Sequence, residues 1–134
     1  NNMANFSGNS RTSYATIDLE EAKKFADKYG IQLIVNSEGK IGFLPSSMSE
    51  DGMFPSYLYD ENGDCEEEFS FEEICKHIAP GEALVVMGCG SENLRYLVGW
   101  AETWSCEGLV SQVNLGDIYK LTKDAGLNYT VAEY

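Results

Sequence analysis

Apolar side chains recur at helical spacing from residue 18 to residue 30, where Leu19, Ala22, Phe25, Ala26 and Tyr29 share one face. Asp18 and Glu21 have the separation of a capping box, Thr16 is an alternative cap, and Gly30 stands where a glycine ends a helix. So narrow an apolar face predicts packing against a sheet. Two strand pairs follow. Residues 31–36 and 40–44 flank Ser37-Glu38-Gly39, and residues 57–60 and 64–69 flank Asn62-Gly63, which favours a tight type I′ turn. Ser70 and Glu73 predict a capping box for a short helix that turns Phe71, Ile74, Cys75 and Ile78 inward. The nearly continuous apolar run from Ala83 to Cys89 predicts a strand covered on both faces. Residues 94–104 alternate, residues 109–113 give a further strand, and Asn114 and Asp117 cap a third helix closed by Gly126. A last strand is predicted over residues 127–134.

Short turns between neighbouring strands imply antiparallel pairing. The expected fold is therefore α+β, a single domain. Its mainly antiparallel sheet would have about five to seven strands, with three helices packed largely on one face. Residues 1–15 lack periodicity and read as a flexible N-terminal arm, leaving residues 16–134 as the domain. Asn1 and Asn2 read as additions ahead of a natural start at Met3.

A chain of 134 residues suits one core, and its 43% hydrophobic and 12% aromatic content separates it from disordered chains of similar net charge. No apolar run approaches a membrane span, and no secretory signal is visible, so a cytoplasmic, non-membrane protein is expected. The four cysteines are scattered without C-x-x-C spacing, which speaks against a metal site. Cys75 and Cys89 read as small buried residues.

Charge changes the picture most. Ten of the carboxylates lie between Lys40 and Lys76 with no cation among them, while the rest of the chain carries only −3 of the −13 total. A field of one sign repels phosphates, excluding direct nucleic-acid binding on this face, and favours a basic protein partner. The acids are interleaved with aromatics, as in contact surfaces rather than solubility coats. The second hairpin is thus the first candidate site. Tyr57 and Tyr59 would supply contact area, and Asp60, Asp64, Glu66, Glu67 and Glu68 steering and ion pairs. Occupying a basic surface in this way would inhibit the target.

A second candidate is the strand face of Tyr96, Trp100, Glu102 and Trp104, an aromatic pocket in which Glu102 would fix an amine or hydroxyl of a small ligand or substrate. The competing reading packs both indoles under a helix. A third expectation is a homo-oligomer whose aromatic surface is a subunit interface. Asp60, Asn62 and Asp64 have the first spacing of a calcium loop, but Cys65 and Phe71 occupy the positions that need Gly and Glu. His77 has no orienting partner, and Gly88-Cys89-Gly90-Ser91 matches no nucleophile or phosphate motif. No catalytic residue, metal ligand or cofactor site is assigned.

Overall fold

Residues 6–12, expected within the loose arm, are instead a strand in the computed structural model, which describes residues 6–93 and 96–132. This strand, β1 (Phe6–Thr12), pairs antiparallel along its length with β6 (Leu84–Glu92). Its buried side chains, Ser10 and Thr12, are polar, so no hydrophobic alternation announces it. Hydrogen bonds do the anchoring. Thr12 Oγ1 accepts from the Phe43 N–H at 2.8 Å, and Ser10 Oγ donates to the Gly52 carbonyl at 3.2 Å.

Among the described residues the strands number eight, and they form three sheets rather than the one expected. The main sheet has the order β1-β6-β7-β8, with β7 spanning Tyr96–Ser105 and β8 Gly108–Asn114, antiparallel throughout. The hairpins β2 (Gln32–Val35) with β3 (Ile41–Leu44), and β4 (Tyr57–Tyr59) with β5 (Cys65–Glu68), form separate two-stranded sheets, and Ile41 of β3 also makes an isolated antiparallel bridge to Ala15. Both use the same loop chemistry. Asn36 Oδ1 accepts from the N–H groups of Glu38 and Lys40, and Asp60 Oδ1 accepts from those of Asn62 and Asp64. Gly39 and Gly63 then take positive φ, +80° and +87°. Asn62 does not, so the second loop is a five-residue Asx-type turn rather than the two-residue type I′ expected.

The core lies between the main sheet and the helices α1 (Leu19–Tyr29) and α2 (Glu72–Cys75). The Asp18 cap holds the Glu21 N–H at 3.0 Å, and Gly30 closes α1 as predicted. Phe25 is the centre of an aromatic cluster, with Tyr29, Phe43, Phe69 and Phe71 all within 5.7 Å of its ring. The expected box does not form: Phe71 is the N-cap of α2, without a side-chain cap bond, and Ser70 Oγ accepts from the Glu72 N–H at 3.0 Å just ahead of it, while Phe71, Ile74, Cys75 and Ile78 are buried as expected.

Two expectations fail at the sheet's other face and its far edge. Leu84, Val86 and Gly88 of β6 are buried, but Met87 and Cys89 are exposed, so this strand is covered on one face only. The third helix, α3 (Asp117–Asp124), buries nothing, with Leu121 62% exposed, and so does not share the helical layer of α1 and α2. It follows the exposed edge strand β8, which carries it past the core. No strand forms over residues 127–132, and residues 133–134 lie outside the described residues. Among the described residues, no helix is long and apolar enough to cross a membrane.

Candidate functional site

The β4–β5 ladder sorts the hairpin's residues onto two faces. Tyr57 pairs with Glu68 and Leu58 with Glu67, so alternation sends Tyr57, Tyr59 and Glu68 one way and Leu58 and Glu67 the other. The first set faces outward. Tyr57 and Tyr59 are 45% and 58% exposed, with ring centroids 6.2 Å apart. Glu61, Asp64 and Glu68 are exposed beside them, and none makes an ion pair among the described residues. Asp60 is held in the turn. The side chain of Glu66 lies outside the described residues.

Glu67, on the inner face, is committed within the fold. Its carboxylate lies 3.1 Å from Lys28 Nζ and accepts from the Tyr29 hydroxyl at 2.9 Å. Glu73 joins the same cluster, 3.0 Å from Lys28 Nζ and 3.1 Å from the Tyr29 hydroxyl, which can donate to only one carboxylate at a time. Lys28, then the Tyr29 hydrogen bond, holds the Glu67 carboxyl below its usual range. The hydrogen bond to Glu73, then that to Glu67, raises the Lys28 ammonium. Burial first, then the bond to Glu67, pushes the Tyr29 phenol up to about 12.

These shifts have a definite sign. A phenol raised in the folded state stabilises the fold below its unfolded value of 10.0, and that contribution is lost as pH rises toward about 12. In a tyrosinate absorbance titration, the Tyr29 step should therefore appear only as pH approaches about 12. Tyr29→Phe should lack that late step and lose stability less steeply across the same window. A titration curve unchanged by Tyr29→Phe in the region near pH 12 would contradict the cluster.

The second candidate face is divided by the length of β7. Trp100, Glu102 and Trp104 line a cleft of about 390 Å³, whose other lining is Asp51 and residues 53–56 with Phe69, Ser70 and Phe71. Tyr96 does not join them. At roughly 3.3 Å per residue it lies about 13 Å up the strand from Trp100, beside Leu115 and Tyr119 in a separate hollow near α3. Trp104 is buried, its Nε1–H donating to Glu102 Oε1 at 2.8 Å, which is the packing expected of a core indole. Trp100 is only half-buried and lies over Gly88, where a Cβ would come within 2.7 Å of its ring.

The opposite wall is equally ordered. Phe54 stacks on Phe69 at 5.9 Å and meets the edge of Phe71 at 5.3 Å. Asp51 Oδ1 accepts from the Met53 N–H at 3.0 Å and from Ser49 Oγ at 3.1 Å. This loop is pinned to β1, since Gly52 has φ +74° and a Cβ there would collide with the Gly8 carbonyl oxygen. Sequence reasoning missed Asp51 as a site residue because its placement depends on β1, a strand with no hydrophobic signature. The only local sign was the Ser49-Glu50-Asp51-Gly52 turn pattern.

Among the described residues, no group of three His, Cys, Asp or Glu side chains is placed to hold a metal ion. No protein-family model matches the chain, and comparisons with curated proteins and with solved structures also return no match. Function must therefore be read from the geometry.

Proposed function

We propose that the protein is a binding module that engages a basic protein surface through the outward face of β4–β5, inhibiting its partner by occupying that surface. The observation that carries this reading is the exposure of Tyr57 and Tyr59 among Glu61, Asp64 and Glu68, with no cation paired to those carboxylates among the described residues. Large rigid rings supply contact area at small entropic cost, and uncompensated carboxylates steer and orient an oppositely charged partner. Glu67 serves the fold by tying the hairpin to α1, which keeps the face rigid.

The test is capture from a lysate of the cells that make the protein, run in parallel with wild type, Tyr57→Ala/Tyr59→Ala and Glu68→Lys. One basic protein should be retained by wild type, elute at moderate salt and be lost with the double tyrosine variant. With that protein in hand, Glu68→Lys should slow association several-fold at low salt and little at high salt. Equal retention of many basic proteins by all three would sink the reading.

A further inference from the structure

We infer that the cleft between loop 46–56 and β7 is a binding site for an organic cation, a guanidinium or alkylammonium group. Among the described residues, its lining combines five aromatic side chains with two carboxylates, Asp51 and Glu102, and includes no Lys, Arg or His. Neither carboxylate makes an ion pair among the described residues. Aromatic walls attract a cation to their faces, and the effect grows as water is excluded, while carboxylates supply the charge-assisted hydrogen bonds that fix its orientation.

Both acids are held in place before any ligand arrives. Trp104 Nε1–H fixes Glu102, and the Met53 N–H with the Ser49 hydroxyl fixes Asp51. Phe54 is held against Phe69, and Trp100 against the bare backbone of Gly88. Such preorganisation lowers the ordering cost of binding. An anion would be repelled. A neutral ligand would leave two carboxylates desolvated without compensation. The cation could be a side chain of a basic protein or a free small amine, and the chemistry of the cleft is the same for both. The site lies beside the base of β4–β5 but uses different residues from its outward face, so it stands or falls independently of the partner reading above.

The deciding experiment follows tryptophan fluorescence while wild-type protein is titrated with capped arginine amide, tetramethylammonium and capped citrulline amide, the neutral isostere of arginine. Saturable binding of a cation, with citrulline at least about tenfold weaker, is the expected result. A tighter capped arginine identifies a peptide side chain as the source, and a tighter tetramethylammonium identifies a free cation. Asp51→Asn and Glu102→Gln keep an acceptor oxygen for their present donors and remove only charge. Each should weaken cation binding about tenfold. Urea unfolding of both variants establishes that they are folded. Absence of saturable binding by either cation, citrulline binding as well as arginine, or unchanged affinity in both folded variants would overturn the proposal. Retained partner capture in the hairpin experiment, with no cation binding here, would remove the cleft and leave the hairpin reading intact.

Discussion

Phe25→Ala is expected to remove about 3–5 kcal/mol of folding stability, out of the roughly 5–15 kcal/mol that a domain of this size possesses. The side chain is 2% exposed, and its ring meets Tyr29 from its own helix, Phe43 from β3, and Phe69 and Phe71 from the segment entering α2. Truncation would open a cavity that these large, mutually packed rings cannot fill by small shifts. The loss should appear in equilibrium urea unfolding as a lower midpoint with a similar slope. Leu121→Ala on α3 gives the contrast. That side chain is 62% exposed, so its removal should change stability by no more than about 0.5 kcal/mol. Comparable losses from both would mean that α3 is covered in solution and that the core extends beyond the Phe25 cluster.

The same pair of residues explains what could be read from the sequence. Around Phe25 several local signals agree: helical periodicity, the Asp18 cap, Gly30 and an inward Phe71-Ile74-Cys75-Ile78 pattern. Each was legible because local spacing and burial coincide there. At Leu121 the signals diverge. The apolar periodicity that predicts a buried helix is present, but α3 is carried past the sheet by an edge strand, and no local pattern encodes that displacement. β1 fails in the opposite sense. Its inward positions are Ser10 and Thr12, so its place in the sheet rests on ladder bonds and on distant contacts to Phe43 and Gly52.

The candidate sites divide along the same line. Strand alternation sets Trp100, Glu102 and Trp104 on one face, because period-two geometry is local, and the three line one cleft. It could not show that Tyr96 lies too far along β7 to join them. It sets Glu67 and Glu68 on opposite faces but could not show that Glu67 is the one tied into the fold, since that depends on Lys28 and Tyr29 approaching from α1. The acidic run and the tryptophan strand read as two unrelated features in sequence. In the fold, the residues flanking β4–β5 form one wall of a cleft and the tryptophan strand forms the other.

Gly88→Ala tests that cleft most sharply, because the substitution acts on Trp100 without touching charge. Gly88 does not adopt positive φ, so alanine is acceptable to the strand backbone itself. The conflict is steric: the added carbon would lie 2.7 Å from Cε2 and Cζ2 and 2.9 Å from Nε1 of the indole. Trp100 is half-buried rather than locked in the core, so its ring should yield by swinging away. Stability should then change by about 1 kcal/mol or less, while the aromatic wall facing Asp51 and Glu102 is lost. Affinity for capped arginine should fall about tenfold or more, with altered tryptophan emission in the unliganded protein. Gly99→Ala is the matched control, since its added carbon would meet Leu115, which does not line the cleft, and should leave affinity unchanged. Wild-type affinity in folded Gly88→Ala would show that the position of Trp100 does not shape the site. A loss of affinity confined to Gly88→Ala, with stability preserved in both variants, would mean that bare backbone at Gly88 is a binding determinant, allowing the indole to lie where a cation can meet it.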